Sequence, residues 1–173
     1  MSARSVQQMK PIAAPAFRPG RHIEVMDDPV HDPYFVRAKP AGPAVCSGCG
    51  AVFHDGRWQW LLAPEHAHRT RCPACRRIDD GMPAGWVSME GDYAHAHAAG
   101  LLELARNLEA REKAEHPLQR IMAVSEEPGK VVVTTTGLNL ARAIGNALHR
   151  AHKGELDIHC APDQYLLRVS WRR

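Results

Sequence analysis

Four cysteines in two close pairs are the residues of this chain whose type and spacing point to chemistry. Cys46 and Cys49 form one Cys-x-x-Cys, Cys72 and Cys75 form a second, and 22 residues separate the pairs. A Cys-x-x-Cys places two sulfurs on one tight turn, so both reach a single ion. Two such knuckles complete a tetrahedron of four thiolates, the ligand set of a closed structural Zn²⁺ site with one ion per chain. Ser47-Gly48 and Pro73-Ala74 suit the turns, and Gly50 lets the backbone fold closely enough for its N–H to approach a sulfur. Four sulfurs fill the coordination sphere and leave no position for water or substrate, which argues against hydrolytic zinc chemistry.

The spacing leaves iron open as the rival metal, because rubredoxins also hold theirs with two Cys-x-x-Cys knuckles. Redox dithiol chemistry fits less well, since it needs one exposed pair at a helix N-terminus. Cys160 stands alone and reads as a buried structural thiol. Two His-x-His pairs, His66/His68 and His95/His97, lack the carboxylate that would complete a second cage, and they read as exposed loop or helix histidines. No nucleophile–base motif, phosphate-cradling glycine loop or paired carboxylates occur, and Gly137-Leu138-Asn139 is too short for a phosphate loop. The chain therefore reads as a protein that is not an enzyme.

Candidate nucleic-acid contacts are Arg142, Asn146, His149, Arg150 and Lys153, at helical spacing i, i+4, i+7, i+8 and i+11 on one face. An ordinary solvated face has the same pattern. Trp58 and Trp60 alternate on one strand face beside Arg57, which points the other way. That arrangement suits either a stacking platform for unpaired bases or packing over the metal site.

The elements that must position these groups follow from periodicity. Ala51–His54 and Arg57–Trp60 flank Asp55-Gly56, a strong hairpin signal, and residues 61 to 70 return the chain to the second cysteine pair. Leu101, Leu104, Ala105 and Leu108 place a helix over residues 92 to 115, ended by His116-Pro117. Strands follow at 120 to 125 and 130 to 135. A helix N-capped by Thr136 then carries the stripe Leu140, Ala141, Ile144, Leu148 and Ala151, with Gly154 at its end. Strands at 155 to 160 and 165 to 171 close the chain. The expected fold is α+β: a zinc ribbon, a β-hairpin with two cysteine knuckles, followed by an α-β-β-α-β-β domain with an antiparallel sheet. The expected organisation is a flexible, proline-rich basic arm (1–44), the ribbon (45–86) and the α+β domain (87–173).

Composition bounds these readings. The 173 residues carry a net charge of +3 and a pI near 8.7, too weakly basic to establish nucleic-acid binding alone. The first residues lack a secretory apolar run and no stretch approaches a membrane span, so a cytoplasmic location without membrane association is expected. There thiols stay reduced, which favours metal binding over disulfides.

Several segments carry a family likeness: Cys46-Ser47-Gly48-Cys49-Gly50 onward to Trp60; Cys72-Pro73-Ala74-Cys75-Arg76-Arg77; Arg106-Asn107-Leu108-Glu109; Glu115-His116-Pro117-Leu118; and Val133-Thr134-Thr135-Thr136-Gly137-Leu138-Asn139-Leu140 onward to Gly145. Together they resemble a family of small bacterial zinc-ribbon proteins labelled as affecting ribosome stability and mRNA decay. That family is distantly similar to the Cys-x-x-Cys-rich region of the large-ribosomal-subunit export adaptor. The resemblance spans about residues 46 to 171. It implies the four cysteines as ligands and association with rRNA, the ribosome or mRNA. Two alternatives stay open: a zinc-stabilised protein–protein adaptor with an unknown partner, and a rubredoxin-like iron electron carrier.

Overall fold

The structure, a computed structural model, describes residues 22–23, 32–34, 40, 42–161 and 164–173. It is a mixed α+β fold with two sheets and, among the described residues, four helices. The smaller sheet has the strand order β4-β3-β2-β5, from β2 (Ala44–Cys46), β3 (Val52–His54), β4 (Arg57–Gln59) and β5 (His68–Thr70). The hairpin β3–β4 forms where the sequence places it. Asp55 and Gly56 both take positive φ, 50° and 81°, as the two-residue turn demands. A short helix, α1 (Pro73–Asp79), follows β5 directly.

The larger sheet has the order β1-β9-β10-β6-β8-β7. Its members are β1 (His22–Ile23), β6 (Gly85–Glu90), β7 (Ile121–Glu127), β8 (Lys130–Thr135), β9 (Glu155–Cys160) and β10 (Leu167–Arg172). The hairpins β7–β8 and β9–β10 match the expected strands within about two residues. The strand β6 was not expected. It lies between the hairpins, antiparallel to β8 and parallel to β10, so the sheet is mixed rather than antiparallel. It also runs across the expected boundary between residues 86 and 87.

Three helices cover one face of this sheet: α2 (Asp92–Ala96), α3 (Ala98–Glu115) and α4 (Leu138–His152). The single helix expected over 92–115 breaks at His97, which leaves the helical region (φ −117°, ψ 16°). Alternating residues of the strands, including Val87, Val133, Ile158 and Val169, meet Leu101, Leu140, Ala141, Ile144 and Leu148 in one core. Trp171 is fully buried there, and its Nε1–H donates to the carbonyl of Lys153 at 2.7 Å. Cys160 lines the same core, as a structural thiol should.

The expected cap of α4 is corrected. Thr136 does not cap α4. Its N–H donates to the Arg120 carbonyl at 2.9 Å and its Oγ1 accepts from the Arg120 N–H at 2.9 Å, while Gln119 Oε1 accepts from Leu140 N–H at the start of α4. Much of the expected arm (1–21, 24–31, 35–39 and 41) lies outside the described residues. The described parts are held by the fold: His22–Ile23 pair with β9, and Asp32–Tyr34 dock on α1. The anchor is Arg77, 3 % exposed, which pairs with Asp32, stacks under Tyr34 at 4.3 Å and donates to the Met82 carbonyl at 3.0 Å.

Candidate metal centre

The four cysteines of the two pairs converge at the end of the smaller sheet. Their sulfurs all lie within 4.8 Å of one another, and Cys49 Sγ is 3.8 Å from Cys72 Sγ. A tetrahedral ion with metal–sulfur bonds of ~2.3 Å needs sulfurs ~3.8 Å apart, so the donor set fits a single ion with small adjustments. None of these four forms a disulfide, and Cys46, Cys72 and Cys75 are buried. Among the described residues no histidine or carboxylate joins this cluster. His66 and His95 are exposed, and so are His68 on β5 and His97, which stacks on Tyr93.

The first knuckle leaves β2 and turns back into β3. Cys46 N–H donates to the Ala51 carbonyl at 2.8 Å. Gly50 N–H donates to the Cys46 carbonyl and not to a sulfur. The donors to Cys46 Sγ are instead Gly48 N–H at 3.4 Å and Cys72 N–H at 3.2 Å. A side chain at position 48 would displace the Arg71 guanidinium, which a Cβ there would approach to 2.2 Å, and would crowd Cys75 Sγ at 3.0 Å. The second pair departs from the expected knuckle and begins α1. Cys72 is the N-cap and its Sγ accepts from Cys75 N–H at 3.4 Å, with Pro73 at the first helical position. A helix start alone suits dithiol redox chemistry, but this pair is buried and faces two further sulfurs.

Sequence reasoning missed the residue that completes the centre, Arg120, just ahead of β7 and 7 % exposed. Its Nη2–H donates to Cys49 Sγ at 2.9 Å and approaches Cys72 Sγ at 3.8 Å, and Nη1–H donates to Cys75 Sγ at 3.4 Å. Its Nε–H donates to the Pro117 carbonyl at 2.7 Å, which fixes the plane of the fork. Trp58 and Leu118 pack against the cluster as well. No local pattern marks Arg120, since it lies 71 residues from Cys49 in the chain and works only through the fold.

The cysteines differ in how readily they ionise. Burial alone would raise the Cys46 thiol, but the N–H groups of Cys72, Gly48 and Cys49 outweigh it and bring its pKa down to about 6. Burial pushes Cys72 and Cys75 up, and nearby sulfur charge adds to the effect, against donation from Arg120 to Cys75. Burial works against the charge of Arg120, but the thiolates beside it prevail and hold it more firmly protonated than usual. Full ionisation of four crowded sulfurs would require a cation among them, as a bound metal ion would supply.

The five candidate nucleic-acid contacts lie on or just beyond α4. Arg150 and Lys153 are exposed, whereas Arg142, Asn146 and His149 are half-buried. Arg142 Nε is buried without a hydrogen-bond partner, and His149 Nδ1 lies 3.1 Å from the Gly154 carbonyl. Trp58 packs against the sulfur cluster while still lining the surface, and Trp60 Nε1–H donates to the Lys113 carbonyl at 2.6 Å. Among the described residues, no helix is long and apolar enough to cross a membrane. Compared with known proteins, the chain matches no family model, no curated protein and no solved structure.

Proposed function

We propose that this chain is a non-enzymatic zinc-ribbon protein that associates with RNA, with ribosomal RNA as the first candidate. The observation that carries the zinc assignment is the convergence of four sulfurs within 4.8 Å, arranged as two Cys-x-x-Cys pairs with no fifth ligand among the described residues. A closed set of four thiolates would hold zinc as a structural ion and offers no open position for hydrolysis. Support for the RNA reading comes from the sequence resemblance, the mildly basic charge and the exposed Arg150 and Lys153. A protein–protein adaptor is the second reading, favoured by the run Trp60, Leu61 and Leu62, which are 40 %, 49 % and 96 % exposed.

The test begins with elemental analysis and the absorption spectrum of the purified protein, followed by cosedimentation with ribosomal subunits. One zinc per chain, no colour and sedimentation that weakens steeply between low and moderate salt are expected. Iron with charge-transfer bands would make electron transfer the leading function. A zinc protein that stays in the supernatant at low salt, and that captures a protein partner insensitive to nuclease, would favour the adaptor.

A further inference from the structure

A cleft of about 720 Å³ lies between the smaller sheet, α1 and the C-terminal end of α3. Its size falls within the range of ~300–1,000 Å³ usual for ligand sites. The floor is one register row of the sheet: His68 on β5 pairs with Ala44 on β2, which pairs with Phe53 on β3, which pairs with Trp58 on β4. All four line the cleft. Ala44 is the smallest of them, so the row dips between the imidazole and the two aromatic rings. Phe53 and Trp58 stand edge to face with centroids 5.5 Å apart.

The rim is cationic. Arg57 ends the hairpin turn and Arg76 lies on α1; both are exposed, and among the described residues neither has a carboxylate partner. Arg71 also lines the cleft, but its guanidinium is held by Asp79. Glu112 is the only acid among the described lining residues, and His116, just past the end of α3, lines the cleft beside it. Arg57 and Trp58, expected on opposite faces, thus meet at one cleft because Arg57 stands at the strand end.

Resting on the RNA-associated reading above, we infer that this cleft, and not the α4 face, takes an unpaired stretch of an RNA strand. Bases stack on the Phe53 and Trp58 row while Arg57 and Arg76 hold adjacent phosphates. A concave site with aromatic walls excludes a duplex, whose bases are hidden in the stack, and accepts single strands whose π-faces are free. The excess of unpartnered arginines over carboxylates matches a phosphate backbone.

The experiment titrates the zinc-loaded full chain with fluorescein-labelled decauridylate and decaadenylate at several salt concentrations. Three variants accompany it: Arg57→Gln with Arg76→Gln, Phe53→Leu, and Arg150→Gln with Lys153→Gln. Zinc content and circular dichroism confirm that each is folded. The cleft double variant is expected to bind roughly tenfold more weakly, with the log K against log salt slope reduced by about 1.4, that is ~0.7 per lost phosphate contact. Phe53→Leu keeps the packing and loses the stack, so a loss of roughly tenfold at an almost unchanged slope is expected. If the α4 variant loses binding and the cleft variants keep it, the cleft assignment is overturned while RNA association stands. If the unmodified protein binds neither oligonucleotide at low salt, RNA association itself fails and the cleft with it. Equal affinity for uridine monophosphate or polyglutamate would also overturn the assignment, because a strand-specific site requires both phosphates and bases in sequence.

Discussion

Arg120 ties the candidate metal centre to the rest of the chain. Four thiolates outweigh one divalent ion by two negative charges, and a buried surplus of that kind is costly unless a cation stands beside it. The Arg120 fork reaches three of the four sulfurs, and Thr136 brackets its backbone on both sides. Replacing it by Ala should leave one zinc per chain at saturation but weaken affinity by roughly 10- to 100-fold, as the loss of groups orienting metal ligands does elsewhere. Lys should recover only part of this, since an ammonium is a point donor and cannot span three sulfurs. Competition for zinc with a chromophoric chelator at neutral pH measures both, and an unchanged affinity in the Ala variant would show that Arg120 merely fills space. The cluster of four cysteines was legible in the sequence because a pair three residues apart is a local signal. Arg120 was not, because nothing near it in the chain distinguishes it from other arginines.

Among the elements, the β6 strand shows how a short central strand escapes a reading by pattern. Only Val87 and Met89 point into the core from it, too few for a periodic signal, whereas the hairpins on either side announce themselves by alternation, and β7–β8 also by its Pro128-Gly129 turn. Its other face carries charge in register. Glu155, Arg172, Glu90, Lys130 and Glu127 are successive cross-strand neighbours from β9 to β7, alternating in sign. At the centre Glu90 lies 3.1 Å from Arg172 and 3.3 Å from Lys130. Burial alone would raise its pKa, but the two cations outweigh it and hold it below the usual carboxylate value. A carboxyl depressed on folding stabilises the protein above its unfolded pKa, and that contribution disappears as pH falls through the lower folded value. Thermal unfolding of the zinc-free protein should thus show a loss of stability toward acid that Glu90→Gln reduces. At neutral pH the same variant should cost at most about 1 kcal/mol, because the cations are partly exposed and screened. Identical acid profiles for the two proteins would remove the ladder from the account of stability.

At the scale of the whole molecule, the two sheets draw stability from different sources. The larger sheet and its helices share one apolar core in which Trp171, Met89, Leu101, Leu140 and Ile144 are fully buried. Around the candidate metal centre, the buried cluster consists of Cys46, Cys72, Ala74 and Cys75, and among the described residues only Cys49, Trp58 and Leu118 pack against it. Three of its four buried members are candidate ligands, so removing a bound ion would take the centre out of the cluster and leave thiols where thiolates stood. Structural zinc contributes an apparent ~10–16 kcal/mol in small modules of this kind, whereas the other core needs no ion. Chelation should therefore unfold the molecule in part. Amides of β2 to β5 and α1 should lose their hydrogen-exchange protection, and those of β6, β8 and α4 should keep theirs. The segment from Leu118 to Arg120 is the informative boundary. It leans on the sulfurs through Arg120 but is also pinned to the larger core through Thr136 and Glu109, whose carboxylate accepts from Ile121 N–H at 2.8 Å. Partial loss there, with β7 intact, is the pattern expected of two units joined at the metal centre. Collapse of protection in both sheets together on chelation would instead mean that one cooperative core runs through the ion, and that Arg120 transmits the loss of metal to the whole chain.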